Sequence, residues 1–250
     1  MTNTSISRLF LVAVGGLTLA SACSSTSDLL TVQTPNSVNA NIFDDPANAT
    51  LMVNSAIGDF ECAFGSFVTA TGLATDELQD ATLTAANWQL DRRDENFTSG
   101  SYGTNSCTST EGLYLPLSTA RWEADQAITK LNKWTDAQVV ARGTLIAKAN
   151  LYAGFSYAAL GMSMCQAAFD LGPLVDQKGM FALAEQRFTD AITAATAANL
   201  TNILNAAYVG RARVRLFQHN TAGAIADAQL VPAGFVFNAA MDASNTRRFN

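Results

Sequence analysis

Apolar residues recur at helical spacing along most of the chain, and the first clear run begins near residue 45. Asp45-Pro46 is a good helix start, because Asp can cap an N-terminus and Pro fits the first helical position. The residues that follow at steps of four, three, four and three would share one helix face. They are Val53, Ile57, Phe60, Phe64 and Phe67. Gly72 is expected to end this helix.

From Tyr114 onward the helical pattern is almost continuous. The first helix of this part would bury one face, made of Leu117, Ala120 or Arg121, Ala124, Ile128 and Leu131. Thr135-Asp136 is expected to cap the next helix, which reaches Leu160-Gly161. Further helices are predicted over about 180–198, 202–217 and 222–228. Phe235-Val236-Phe237 then predicts a short strand or an extended stretch.

Two segments have no such period. Residues 28–45 are turn-rich and are expected to be extended. Residues 75–112 are rich in Asp, Asn, Ser, Thr and Gly and carry two large aromatics, Trp88 and Tyr102. A loop of this length in a compact domain is either functional or hides an element that the pattern does not reveal.

A spacing typical of tetratricopeptide units lies within the helices. Ala184, Phe188 and Ala191 match the second helix of such a unit, where small residues let paired helices approach. Ala224, Ala228 and Val231 repeat the spacing with weaker residues, before Pro232. The separation exceeds the usual period of about 34 residues. The sequence thus predicts a mostly α fold with irregular tetratricopeptide-like repeats and little strand, or an ordinary antiparallel helical bundle.

The N-terminus has the features of an export signal. The apolar residues 9–20 are too few to span about 30 Å of hydrocarbon as a helix, but they suit a secretory signal. Ala20-Ser21-Ala22 leads directly to Cys23, which resembles a bacterial lipoprotein signal, although Ala20 stands where Leu is usual. An ordinary signal-peptidase site is the alternative. We predict a signal peptide over 1–22, and a lipidated, extended tether over 23–45 that anchors the chain to a membrane through Cys23.

Composition narrows the chemistry. The chain has 15 Lys and Arg, 21 Asp and Glu, a net charge of −6 and a single histidine, His219. An acidic protein lacks the basic face that nucleic acid needs, and one histidine offers no His cluster for zinc. We expect no nucleic-acid partner, no metal and no cofactor.

Export also affects how the cysteines are interpreted, since disulfides persist in oxidising compartments. Apart from Cys23, the chain has Cys62, Cys107 and Cys165, which allow three different single disulfides. We expect one disulfide that pins the loop around Cys107 to a helix. Cys62, on an apolar helix face, could equally be a buried free thiol.

Short motifs occur in the order found in the SusD/RagB family of outer-membrane nutrient-uptake lipoproteins, and the chain resembles that family over nearly all of residues 15–250. The motifs are Ala20-Ser21-Ala22-Cys23, Asp28-Leu29-Leu30-Thr31-Val32 to Pro35-Asn36, Ala56-Ile57-Gly58-Asp59-Phe60, Thr75-Asp76-Glu77-Leu78, Tyr114-x-x-Leu117-x-x-Ala120-Arg121, Ala184-Glu185-x-Arg187-Phe188-x-x-Ala191-Ile192, Gly210-Arg211-Ala212-Arg213, Ala226-Asp227-Ala228 and Val231-Pro232-x-Gly234-Phe235-Val236.

The resemblance implies a SusD-like helical domain over 46–250, with tetratricopeptide-like pairs over about 114–232. Family members are longer, so the C-terminal half of the family would be missing here. They bind oligosaccharides or fragments of other polymers outside the cell, as lids on a TonB-dependent, SusC-like outer-membrane transporter. The resemblance therefore implies a lipid-anchored outer-membrane protein that faces the cell surface.

In the family, part of the glycan site comes from the stretch between the first helix and the repeat helices. Glycan recognition uses a flat apolar face for the sugar ring and planar polar groups for its hydroxyls. Here Trp88 would be the stacking platform and Tyr102 a second aromatic. The polar partners would be Asp76, Asn87, Asp91, Arg92 and Arg93. The alternative is that Trp88 fills the edge of the core while Arg92 and Arg93 form exposed ion pairs.

Three functions remain open at this point. The first is a substrate-binding lipoprotein that captures oligosaccharide-like nutrients for a transporter. The second is a tetratricopeptide lipoprotein scaffold that binds envelope proteins, and the third is a carbohydrate-active hydrolase. The sequence contains no nucleophile elbow, Gly-rich phosphate loop or metal motif, and its adjacent carboxylate pairs would point apart. We therefore expect a protein that is not an enzyme and has no catalytic residue.

Overall fold

The computed structural model describes residues 40–81, 88–94, 103 and 112–240. The chain divides into two compact units, Met1–Ile42 and Phe43–Asn250. In the first unit only residues 40–42 are described, and they begin a 3-10 turn. The predicted signal peptide and most of the predicted tether lie outside the described residues.

The fold is mostly α-helical, as the sequence predicts. Two 3-10 turns, Ala40–Asp44 and Pro46–Asn48, precede the first long helix. The helices and strands that follow are α1 (Ala49–Ala74), α2 (Trp88–Arg92), α3 (Tyr114–Lys133), α4 (Arg142–Ser163), β1 (Gln166–Ala168), β2 (Leu174–Asp176), α5 (Gln177–Ala197), α6 (Thr201–Phe217) and α7 (Thr221–Ala228).

The predicted start of the first helix is close to the observed one. Asp45 accepts a hydrogen bond from the Ala47 amide at 2.9 Å and caps the 3-10 turn that leads into α1. The predicted stop at Gly72 is wrong by two residues, since α1 ends at Ala74. Gly72 instead stabilises the turn that follows the helix. Its carbonyl accepts the amides of Glu77 and Leu78, and a Cβ there would lie 2.8 Å from Leu78 Cδ1.

The predicted cap at Thr135-Asp136 is wrong, because α4 begins later, at Arg142. Gln138 Oε1 accepts the Thr135 amide at 2.9 Å, which closes a separate turn before the helix. Arg142 ties this connection to the end of α3, since its Nε donates to the Leu131 carbonyl at 2.8 Å. Its guanidinium also pairs with Asp136 at 2.9 Å.

A small hairpin joins α4 to α5 and was not predicted. Strand β1 pairs antiparallel with β2, with Ala167 opposite Val175. Strands of three residues are too short to show an alternating pattern in the sequence. Asp176 then caps α5 by accepting the Gly179 amide at 2.8 Å. Farther along, Phe235-Val236-Phe237 forms no strand and belongs to an irregular segment after α7.

The core forms where consecutive helices pack. The face predicted for α3 is buried throughout, and it includes both Ala120 and Arg121. One apolar cluster joins the C-terminal half of α1 to α3, α4, α5 and α6, and a second joins the N-terminal half of α1 to α3 and α4. Short connections, at 198–200 and 218–220, make α5, α6 and α7 antiparallel neighbours.

The two occurrences of the tetratricopeptide spacing differ in how deeply their residues are buried. Ala184, Phe188 and Ala191 are all fully buried between helices. In the second occurrence Ala224 is buried but Ala228 is exposed. The repeat type therefore stays a prediction.

The described helices include none that is long and apolar enough to cross a membrane.

Candidate functional site

Several of the predicted ligand residues meet at the C-terminal end of α1. Asp76 and Arg93 form an exposed ion pair, which includes a hydrogen bond. That bond, together with the charge of Asp76, raises the pKa of Arg93. The Asp80 amide donates to Asp91 Oδ1 at 3.5 Å, a long hydrogen bond. We call Asp76, Asp80, Asp91 and Arg93 the polar edge.

The two residues of the ion pair have the same unusual backbone conformation. Asp76 and Arg93 lie in the left-handed region, with φ of 63° and 56°. Each follows a helix end, because α1 ends at Ala74 and α2 at Arg92. Non-glycine residues reach this region at a cost in backbone energy, which surrounding contacts must offset. Both residues of the ion pair therefore lie in left-handed turns, one after the end of α1 and one after the end of α2.

The remaining predicted ligand residues are only partly described. Trp88 is the first residue of α2, and Arg92, the last, is exposed. Leu90 anchors this short helix, with only 2% of its surface exposed. Asn87 and Tyr102 lie outside the described residues, as do Cys23 and Cys107. The structure therefore brings Asp76, Asp91 and Arg93 together near the C-terminal end of the short helix that begins at Trp88.

The two described cysteines differ in oxidation state, because one forms a disulfide and the other is a free thiol. Cys62 on α1 is buried and disulfide-bonded, so the alternative of a free thiol at Cys62 is wrong. Cys165, which precedes β1, is free and exposed.

A second feature, which the sequence analysis missed, is a half-open cavity of about 260 Å³. We call it the aromatic cleft. Its walls come from α1, α4, α5, α6 and the segment after α7. The lining residues are Phe60, Glu61, Phe64, Phe67, Tyr152, Phe155, Ala158, Ala159, Met162, Phe188, Ala206, Val209, Gly210, Arg213, Phe235, Phe237 and Ala239.

Eight of the seventeen lining residues are aromatic, and they come from α1, α4, α5 and the segment after α7. Phe60 of α1 and Phe155 of α4 stack with ring centroids 5.7 Å apart. Phe155 meets Phe188 of α5 edge to face at 5.2 Å. The helical spacing of Phe60, Phe64 and Phe67 suggested an ordinary core face, but Phe64 and Phe67 are only half-buried.

The segment over 232–240 covers one side of the cleft. Phe235 and Phe237 are half-buried while the residues between and beside them are exposed. Phe237 stacks on Phe155 with centroids 6.1 Å apart. The Ala240 amide donates to Glu61 Oε1 at 3.0 Å. The alternation at Phe235 and Phe237 was the available sequence signal, but it equally suggested a strand.

The arginines of α6 have separate roles. Arg211 and Arg215 share a helix face, and both bind the buried carboxylate of Asp227 on α7. Arg211 reaches it through two bonds, at 2.8 and 2.7 Å, and Arg215 through one at 2.9 Å. The hydrogen bond to Asp227 raises the pKa of Arg211 against the opposing effect of burial. Arg213 points elsewhere and lines the cleft.

A further buried network joins α3, α4 and α5. The Tyr157 hydroxyl donates to Asp125 at 2.8 Å, and Arg187 pairs with the same carboxylate at 2.8 Å. Arg121 packs over the Phe169 ring and binds Asp170 at 2.7 Å. Burial, followed by the negative charge of Asp125, raises the pKa of Tyr157. These contacts hold the helices together, although the buried Arg121 Nε has no hydrogen-bond partner among the described residues.

Within the described ranges, no group of three or more His, Cys, Asp or Glu side chains is placed to hold a metal ion. In comparisons with protein-family models, with curated proteins and with solved structures, none matches the chain.

Proposed function

We propose that this chain is an outer-membrane-anchored, substrate-binding lipoprotein of the SusD/RagB type, which captures oligosaccharide-like nutrients for a partner TonB-dependent transporter. It would sit at the cell surface, tethered through an acylated Cys23, and would have no catalysis of its own. The proposal rests on the order of the sequence motifs and on one structural observation, the polar edge.

The polar edge supports glycan binding because it gathers the kinds of group that hydroxyls require. Carboxylates accept hydroxyl protons, and a guanidinium donates in a planar fork. Asp76 and Arg93 are exposed, so their remaining hydrogen-bonding positions face solvent. Trp88 lies three residues before Asp91 in the chain, at the start of the same short helix.

The family motifs also make contacts that suit a helical body. Arg211 and Asp227 bind each other through their side chains. Arg211 belongs to the motif Gly210-Arg211-Ala212-Arg213, and Asp227 belongs to Ala226-Asp227-Ala228. Ala184 and Phe188 of a third motif are fully buried. These contacts support an architectural role for the motifs without bearing on the ligand.

The transport role is tested by isolating the protein from native membranes in mild detergent and identifying what accompanies it. A TonB-dependent barrel is the expected companion. Recovery with periplasmic or envelope-assembly proteins and no barrel would contradict the proposal and favour a scaffold. Cys23→Ser should release the protein from the membrane fraction, because its acyl chains provide the anchor.

The binding site is tested on a glycan array with Trp88→Ala. Loss of a stacking platform should weaken glycan binding by about tenfold. Trp122→Ala is the matched control, since Trp122 is a half-exposed tryptophan on α3, away from the polar edge. Equal losses in both variants would contradict the assigned site. Release of new reducing ends from a bound glycan would favour a hydrolase.

A further inference from the structure

We propose that the aromatic cleft is a second binding site, which takes a small uncharged aromatic molecule of about two fused rings beneath residues 232–240. This inference does not depend on the oligosaccharide proposal, because the cleft and the polar edge share no residue.

The first argument is unfilled volume. Protein interiors are packed closely and leave few voids larger than a water molecule. The cleft keeps about 260 Å³ open even with the 232–240 segment in place. An apolar cavity of about 150 Å³ is enough to bind benzene. The cleft therefore has room for more than one ring.

The second argument is that the surrounding residues cannot close this volume. Small residues line the cleft on α4 and α6, including Ala158, Ala159 and Ala206. The Phe188 ring is wedged between two glycines, because a Cβ on Gly154 or Gly210 would lie 2.8 or 2.4 Å from it. The alanine side chains are too short to fill the space, and the Phe188 ring lies against the backbones of α4 and α6, so the cleft stays open beside them.

The third argument is the orientation of the rings. Phe60 and Phe237 each stack on Phe155, with interplanar angles of 24° and 30°. Phe188 and Tyr152 present their rings steeply to Phe155, at 74° and 80°. The aromatic cleft therefore presents rings in orientations that suit both stacked and edge-to-face contacts with a flat aromatic ligand.

The fourth argument concerns charge. The charged groups on the cleft wall are Glu61, which accepts the Ala240 amide, and the exposed Arg213. Glu61 and Arg213 have opposite charges, so a charged guest that loses its hydration among the phenylalanine rings would also face a like charge on the same wall. An uncharged aromatic avoids that cost, which is why we assign this ligand class.

The segment over 232–240 provides a route for entry. It lies outside the helices and contributes Phe235 and Phe237 to the wall. The Ala240 amide donates to Glu61 and so connects the end of the segment to α1. Displacing this segment would open the cleft without unfolding a helix.

The test is calorimetric titration of the purified full chain with 2-naphthol. We expect saturable binding with a stoichiometry near one. Val209→Trp should weaken it by at least about tenfold, because Val209 lies on the wall at the mouth and an indole would fill the space. Leu216→Trp is the matched control, since Leu216 is exposed on the same helix and does not line the cleft. It should leave binding unchanged.

A second variant covers the case in which Val209→Trp fails to fold. Phe237→Ala removes a wall ring from a segment outside the helices and should weaken 2-naphthol binding several-fold. Trp88→Ala should leave 2-naphthol binding intact, which separates this site from the polar edge. Absence of saturable binding to the unmodified chain would overturn the proposal. The proposal would also be overturned if both Val209→Trp and Phe237→Ala, shown by circular dichroism to be folded, bound 2-naphthol as tightly as the unmodified chain.

Discussion

Phe188 of α5 lies directly against Gly210 of α6. A Cβ placed on Gly210 would be 2.4 Å from both Cε1 and Cζ of the phenylalanine ring. A Cβ placed on Gly154 of α4 would be 2.8 Å from Cδ1 and Cε1 of the same ring. Two helices, α4 and α6, thus approach one fully buried ring of α5, and the approach requires residues without side chains.

Gly210→Ala should destabilise the protein. In a helix interior this change normally stabilises by about 0.5–1 kcal/mol, because alanine loses less backbone entropy on folding. Here the new methyl group would overlap the Phe188 ring, and overpacking of this kind costs about 1–3 kcal/mol. We expect the free energy of unfolding, measured by urea denaturation, to fall.

Gly143→Ala provides the control, because it makes the same change without the contact. A Cβ on Gly143 would meet only Ala198 Cβ, at 3.9 Å. That variant should be as stable as the unmodified chain, or up to about 1 kcal/mol more stable. If Gly210→Ala matched it, the close packing against Phe188 would be disproved.

The helices were predictable where burial follows a strict period. The α3 face from Leu117 to Leu131 is buried throughout because one continuous helix packs on both α1 and α4. The start of α4 was missed because Thr135 and Gln138 form a capped turn of their own. Local sequence cannot distinguish such a turn from the first turn of a longer helix.

The candidate sites were predictable to different degrees. Polar residues near Trp88 signalled the polar edge, and three of them do come together there. The aromatic cleft was missed because its rings come from α1, α4, α5 and the segment near Phe237, which are distant in sequence. Each group alone matches an ordinary core face, and only tertiary packing leaves the space between them.

Asp227→Ala should be strongly destabilising. The buried carboxylate binds the guanidinium groups of Arg211 and Arg215, and its removal would leave two partly buried cations facing each other. Breaking a buried ion pair from one side costs about 3–5 kcal/mol. Arg215 would keep its bond to Glu185, so the lower end of that range is expected. Thermal and urea unfolding would measure the loss.

Asp136→Ala is the matched control for this network. Asp136 also pairs with an arginine, Arg142, but its side chain is 84% exposed. Exposed pairs contribute about 0–1 kcal/mol, so stability should barely change. A small effect at Asp227, comparable with that at Asp136, would contradict the structural role of the α6–α7 network.

The free cysteine gives a chemical test of the structure. In the native protein without reductant, iodoacetamide should modify Cys165, which is exposed, and should leave Cys62 unmodified. Cys62 should react only after unfolding in the presence of a reductant, because it is both buried and disulfide-bonded. Peptide mass mapping distinguishes the two residues. Modification of native Cys62 would contradict the disulfide.

Alkaline pH should weaken the fold through Tyr157. Burial and Asp125 raise the pKa of this phenol in the folded state, while in the unfolded chain it ionises near about pH 10. The stabilisation is therefore present below about pH 10 and is lost as the pH rises towards the folded-state pKa, by up to about 1.4 kcal/mol per pH unit.

Urea unfolding at pH 9 and 11 should show a steeper loss of the free energy of unfolding for the unmodified chain than for Tyr157→Phe. Tyr208→Phe, which alters a tyrosine outside this network, should keep the original dependence. Parallel losses in the unmodified chain and Tyr157→Phe would show that another group carries the effect.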